Sequence, residues 1–172
     1  MHNQLQDNIT SILHRLQGLE DRLCVYQLIS VFNAAADSSN LSILYDVWNE
    51  DCELTYGISE TGTEADRQSH KGHAGLKEIV YSDDHQGYIK QGSAHVNSLP
   101  HVVIEGDRAS ATTYQTIFVR VDGRFTVHSV TANRWTFARR DDGWEILTRQ
   151  TEPMRGTNQR AKDLLNQVRS GA

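Results

Sequence analysis

Between residues 91 and 152 polar and apolar positions alternate in runs of strand length, separated by glycine-containing pairs. Ala111, Thr113, Gln115, Ile117 and Val119 fall on one face of an extended segment, and Ser110, Thr112, Tyr114, Thr116 and Phe118 on the other. The following run, 125–138, is rich in β-branched and aromatic residues. Asp122-Gly123 and Asp142-Gly143 suit the positive φ of tight hairpin loops, and Gly106-Asp107 breaks the chain before the second strand. A curved antiparallel meander of four consecutive strands is expected. One of its faces must be covered, and the only large apolar helices lie upstream.

There the period lengthens. Leu5, Ile9, Ile12, Leu13, Leu16 and Leu19 recur at helical spacing with polar residues between them, a helix over about 3–18 with one narrow apolar stripe. Gly18 is expected to interrupt it. A second helix carries Leu23, Val25, Leu28, Ile29, Val31, Phe32, Ala35 and Ala36 and is broad enough to lie across the sheet. Asp37-Ser38-Ser39-Asn40 stops that helix and caps a short third one with Leu41, Leu44, Tyr45, Val47 and Trp48. A short strand is expected at 52–56, a polar exposed loop at 57–70, a helix at 72–81 and a second loop at 82–92. The 57–70 loop suits a lid as well as a plain surface insertion. Pro153 and Gly156 end regular structure, and Leu164, Leu165 and Val168 predict a C-terminal helical tail over about 157–169.

Helices segregated from a long antiparallel sheet define an α+β class, and 172 residues without a compositional break read as one domain over 1–172. A strongly bent sheet packed on helices leaves a cone-shaped cavity, the natural place for a small-molecule site. A net charge of -5 without a run of Lys or Arg argues against nucleic acid as a partner. No apolar run reaches membrane-spanning length and the amino terminus lacks a signal-peptide pattern, so a soluble, cytoplasmic protein is expected, with no membrane partner. Cys24 and Cys52 read as isolated, reduced core residues.

The order of elements resembles the SnoaL-like branch of the nuclear-transport-factor-2-like superfamily over most of the chain. The markers are Phe32-Asn33-Ala34-Ala35-Ala36-Asp37 at the end of a helix, Trp48-Asn49-Glu50-Asp51-Cys52 entering a strand, and residues 72–79. His95 on a strand and the run from Asp142-Gly143-Trp144 to Arg149 complete the set. Within that branch the likeness is to lindane dehydrochlorinase, bile acid 7α-dehydratase and scytalone dehydratase. The resemblance implies a cone of N-terminal helices on a strongly curved, mainly antiparallel sheet enclosing a pocket. It also implies that Asp37 orients His95, a general base that takes a proton from carbon without any cofactor.

Taken singly, Asp37 reads as a helix-stop residue and His95 as an ordinary strand histidine; their joint occurrence at family positions gives them a shared role. Tyr56 matches a tyrosine that assists a departing hydroxyl in the bile acid enzyme, though a strand tyrosine with its ring in the core fits too. Arg149 matches an arginine lining the dehydrochlorinase pocket, where a buried guanidinium serves an enolate oxygen or a leaving anion. Phe32, Trp48 and Leu99 are expected around the substrate, Trp48 fitting the core as well. Phe32 stands where relatives carry a lysine or tyrosine as leaving-group acid, which weakens dehydrochlorination. Leu99 replaces a polar residue common in relatives and predicts a more apolar pocket.

His70 and His73 with Glu64 and Asp66 lack a defined ligand geometry, and no metal site is expected. His101 follows Pro100 at a bulge or edge, and His128 faces either the cavity or a subunit contact. The expectation is a cofactor-independent lyase of dehydratase type acting on a hydrophobic cyclic molecule, in a homo-oligomer, dimer or trimer. A ketosteroid-type isomerase or polyketide cyclase with the same base, a non-catalytic binding module, and a subunit like the β chain of ring-hydroxylating dioxygenases remain alternatives.

Overall fold

The computed structural model describes residues 2–57 and 67–168. Five helices and seven strands follow in the order α1 (His2–Asp37), α2 (Leu41–Val47), β1 (Trp48–Gly57), β2 (Arg67–Lys71), α3 (Gly72–Val80), α4 (Asp83–Gln91), β3 (Ser93–Asn97), β4 (His101–Glu105), β5 (Arg108–Val121), β6 (Arg124–Arg140), β7 (Gly143–Pro153) and α5 (Gln159–Leu165). Hydrogen bonding orders the sheet β2-β1-β7-β6-β5-β3, with β4 also on β5. Among the described residues only β1 with β7 is parallel; every other pair is antiparallel. Register shifts at Ile117/Phe118 between β5 and β6, and at Thr136/Phe137 between β6 and β7, add the local twist that coils long strands around a helix. The result is a curled, unclosed sheet with helices in its concavity, the α+β cone expected from the sequence.

Phe32 of α1 sits edge-on to Trp48 and Trp135, with ring centroids 5.7 and 5.4 Å away. Val25, Ile29, Leu44, Leu54, Leu76, Phe137 and Ile146 close the same core. These residues come from α1, α2, α3 and the strands β1, β6 and β7, so this core joins the helices to the sheet. Asp122 and Gly123 take φ of 50° and 80° in the β5–β6 turn, as the Asp-Gly pair predicts.

Several expectations need correction. α1 runs unbroken through Gly18, because a glycine inside a helix costs only about 1 kcal/mol and removes no hydrogen bond. The first strand of the meander is split in two. β3 and β4 both pair with β5, separated by Ser98-Leu99-Pro100, where proline has no N–H to continue the ladder. Within the expected 57–70 loop, residues 58–66 lie outside the described residues, Glu64 and Asp66 among them, whereas Arg67–Lys71 forms β2 against β1. The expected loop at 82–92 is helix α4. Ser82 caps it by accepting from the His85 N–H, and Asp83 and Asp84 occupy its first turn. Cys52 is buried but Cys24 is exposed, since α1 turns that position away from the core. The C-terminal helix is shorter than expected, begins after the buried cap Asn158, and packs Ala161 and Leu164 on Ala132 of β6.

Candidate active site

Helix α1 stops without using the Asp37 side chain. Ser39 takes φ 52°, its N–H donates to the Ala36 carbonyl at 3.1 Å, and the Asn40 N–H donates to the Ala35 carbonyl at 2.8 Å. These two bonds make a Schellman stop, which Ser38 supplements by donating its hydroxyl to the Ala34 carbonyl at 2.8 Å. The Asp37 carboxylate is therefore available to β3. Its Oδ2 accepts the backbone N–H of His95 at 2.9 Å, and its Oδ1 lies 2.6 Å from His95 Nδ1. With the carboxylate oxygen as acceptor Nδ1 carries the hydrogen of this contact, and in the neutral imidazole that tautomer leaves the lone pair on Nε2.

His95 lines a cavity of about 650 Å³ between the helices and the concave sheet. The helices contribute Phe32, Leu44, Leu76 and Val80 to its wall; the strands contribute Leu54, Tyr56, Gln115, Ile117, Arg149 and Thr151. Strand alternation explains the second set, because Gln115 with Ile117 and Arg149 with Thr151 are two apart on β5 and β7 and so share a face.

Arg149 is fully buried, and its guanidinium is held by neutral groups. Nη2 donates to Gln115 Oε1 at 2.6 Å and to Asn133 Oδ1 at 3.0 Å, and Nε donates to Asn133 Oδ1 at 3.2 Å. Its carbon centre stands 4.9 Å from the ring centroids of both Phe32 and Trp135 and 5.9 Å from that of Tyr56. Among the described residues no carboxylate contacts it. Burial lowers its pKa from the ordinary arginine value, because the charged guanidinium is desolvated without a compensating carboxylate among the described residues. Burial likewise raises the Tyr56 phenol above its usual value, opposed by the positive charge of Arg149, so Tyr56 keeps its proton and remains a donor.

The structure adds a residue that the sequence pattern did not single out. His85, on α4, is 9% exposed, and its ring lies 5.9 Å from that of His95, centroid to centroid. The 2.9 Å contact of its Nδ1 with the Val80 carbonyl requires the hydrogen on Nδ1 and leaves Nε2 as an acceptor. Burial lowers the His85 pKa despite that bond, and the neighbouring His95 lowers it further, so the ring is neutral at pH 7. The signal that could have found it is the Ser82-Asp83-Asp84 helix start, which makes 83–91 a helix and turns His85 inward.

Two expected pocket residues lie elsewhere. Leu99 is 79% exposed on the jog between β3 and β4, where it borders a surface groove with Tyr26 and Ile29 instead of the cavity. Trp48 is buried in the core behind Phe32 and does not reach the cavity wall. Phe32 does line it. His128 lies on the wall with its ring 4.7 Å from Tyr88, whereas His101 lies on β4 outside it. His73 stacks on Tyr45 at 4.3 Å and meets the Trp48 carbonyl at 3.1 Å, and His70 Nδ1 stands 3.3 Å from Glu78. The described residues contain no group of three or more potential metal ligands.

The sequence profile of the SnoaL-like domain matches residues 17–150. The chain belongs to the SnoaL-like family. This SnoaL-like protein is 33% identical to a nuclear-transport-factor-2-like protein with a cystatin-like fold from Novosphingobium aromaticivorans; the match covers 91% of this chain and 96% of the other, with a TM-score of 0.81. A hexachlorocyclohexane dehydrochlorinase from Novosphingobium barchaimii shares the fold at 16% identity, covering 82% of this chain and 91% of its own, with a TM-score of 0.66. A candidate dehydratase of the same superfamily from Streptomyces avermitilis shares it at 15% identity, 79% and 98% coverage and a TM-score of 0.58. None of the curated proteins compared with this SnoaL-like chain matches it.

Proposed function

We propose that this SnoaL-like protein is a cofactor-independent lyase of dehydratase type acting on a hydrophobic cyclic small molecule. The observation that carries the reading is the two-point grip of Asp37 on His95 at the wall of the cavity. Family membership, and a fold shared with a dehydrochlorinase and a candidate dehydratase, support the reaction class.

In this reading His95 Nε2 removes a proton from the carbon next to a carbonyl. The imidazolium that forms is stabilised by Asp37, and the electron pair moves onto the carbonyl oxygen. Arg149 is the group suited to that oxyanion, because it is charged, preorganised by Gln115 and Asn133, and has no carboxylate partner among the described residues. Collapse of the oxyanion expels a β-hydroxyl as water, with its proton supplied by Tyr56 or by the His95 imidazolium. Wall residues Phe32, Leu44 and Leu76 suit an apolar ring system.

The test is turnover of cyclic β-hydroxy ketones, followed by loss of water in the mass spectrum and by enone absorbance. His95→Gln should lower kcat by about 10²–10⁴-fold with an unchanged melting temperature, and unaltered turnover by that variant would overturn the reading. Phe32 specifically favours a second reading. It offers no acid to a leaving group, so the same base could return the proton elsewhere on the ring, as an isomerase or cyclase does. Uptake of solvent deuterium into a ketone without loss of water identifies that outcome.

A further inference from the structure

The apolar stripe at the start of α1 plays no part in the cavity or the core. Leu5, Ile9, Ile12, Leu16, Leu19 and Leu23 are 43–60% exposed, and from Gln4 onward the first buried side chain of the helix is Asp21. About 18 residues of helix, roughly 27 Å at 1.5 Å per residue, therefore stand with their leucines and isoleucines in water. Helices in proteins owe most of their stability to packing of an apolar face, so a bare apolar stripe calls for a partner.

The spacing states what kind of partner. The steps between those six residues are four, three, four, three and four, the alternation of a coiled-coil seam, and Leu13, 59% exposed, flanks that seam beside Ile12. With Ile9, Leu16 and Leu23 at the a positions, the d positions are Leu5, Ile12 and Leu19. The seam continues on the outer side of the helix past its junction with the domain, at half-buried Tyr26 and exposed Ser30. Val25 and Ile29, which enter the core, occupy other positions. The body of the domain and the seam therefore lie on different sides of α1, and a second helix can run alongside without meeting the domain.

We propose that α1 forms a parallel, in-register coiled coil with a second copy of this chain. Flanking charges select that partner and that direction. In this frame Arg15 and Arg22 are g residues and Glu20 is an e residue. Parallel pairing sets each g residue against the e residue five positions later on the other helix, which matches Arg15 with Glu20 twice by symmetry and Arg22 with the neutral Gln27. Antiparallel pairing sets g against g and e against e, which offers Arg15 and Arg22 no acidic partner. The seam is self-complementary in its apolar and its charged positions alike.

The decisive experiment is charge exchange, read by sedimentation equilibrium. Arg15→Glu sets two carboxylates against each other at both g–e contacts of its own dimer, and Glu20→Arg sets two guanidinium groups there. Each variant alone should therefore dissociate at least tenfold more readily than the wild type. Mixed in equal amounts, the two variants should associate with each other, since both cross-pairs are again opposite in charge. Leu16→Glu, in the middle of the seam, should abolish the association. All three positions are exposed on the projecting turns, so the melting of the cavity-bearing domain at low protein concentration should not change. A monomeric wild type overturns the proposal, as does an assembly indifferent to Leu16→Glu or an absence of preferential pairing in the mixture.

Discussion

Arg149 is the residue whose surroundings say most about what the cavity holds. A buried guanidinium is ordinarily matched by a carboxylate, because desolvating the charge costs several kcal/mol. Here two amide oxygens and three aromatic rings take that place. Compensation is left to the ligand, so cyclic phenolates and carboxylates should raise the melting temperature of the wild type, more than neutral rings of the same size do. Arg149→Met should remove that difference, and equal stabilisation by charged and neutral rings would contradict the assignment. His85 makes a separate prediction. Its folded pKa is depressed, so below about pH 6.5 the unfolded chain binds a proton that the folded chain refuses. Its contribution to stability is complete above that pH and falls as the solution is acidified. Replacing it in His85→Asn should flatten the slope of unfolding free energy below about pH 6.5 in urea titrations.

At the scale of elements, two glycines in neighbouring helices have opposite reasons for being there. Gly75 lets α3 close onto β2: a methyl group on it would stand 2.7 Å from the carbonyl carbon of His70. Gly87 in α4 has nothing within 4 Å of the position a Cβ would take. Gly75→Ala should therefore destabilise the protein by about 1–3 kcal/mol through overpacking. Gly87→Ala should stabilise it by roughly 0.5–1 kcal/mol through helix propensity. Thermal or urea unfolding of the two variants checks both signs. The contrast shows why a glycine alone is a poor boundary marker. Gly18 and Gly87 lie inside helices, whereas Gly123 is where the chain turns.

Across the whole molecule, α1 is tied to β6 and β7 by a half-buried ionic clasp. Arg139 of β6 donates from Nη1 and Nη2 to the two Asp21 oxygens, each at 2.8 Å, and Trp144 Nε1 donates to the same carboxylate at 3.0 Å. The Arg139 guanidinium in turn lies 4.4 Å over the Trp144 ring. These partners, Arg139 foremost, hold the Asp21 pKa down at about 2. A depressed carboxylate stabilises the fold fully above its unfolded value and progressively less as pH falls through the folded one. Asp21→Asn should cost roughly 2 kcal/mol at pH 7, a gap that narrows between about pH 4 and 2. Urea unfolding of both proteins across that range measures it. The clasp sits where the projecting part of α1 enters the domain, so it also sets the direction in which the seam points.

The pairing of Asp37 with His95 came from the family resemblance; what the sequence determined by itself was local and periodic: the meander apart from its break at Pro100, the Asp-Gly hairpin and the end of α1 at Asp37. Those features follow from side-chain alternation, positive-φ turns and the self-bonding habit of Ser and Asn, all of which act within a few residues. Tertiary structure decided everything that depends on where a strand or helix faces. The curl of the sheet brings Arg149 between Phe32 and Trp135, residues 117 and 14 positions away in the chain. Packing of α4 turns His85 toward His95, and the jog at Pro100 carries Leu99 out to solvent, away from the cavity that His95 lines four residues earlier. Polar alternation fixes only that a residue lies on one of two faces; which face is inside depends on what covers the sheet. The narrow stripe of α1 was legible as a stripe from the first residues onward. That none of the described residues covers it is a fact of tertiary packing, because burial depends on the partners an element meets and not on its own periodicity.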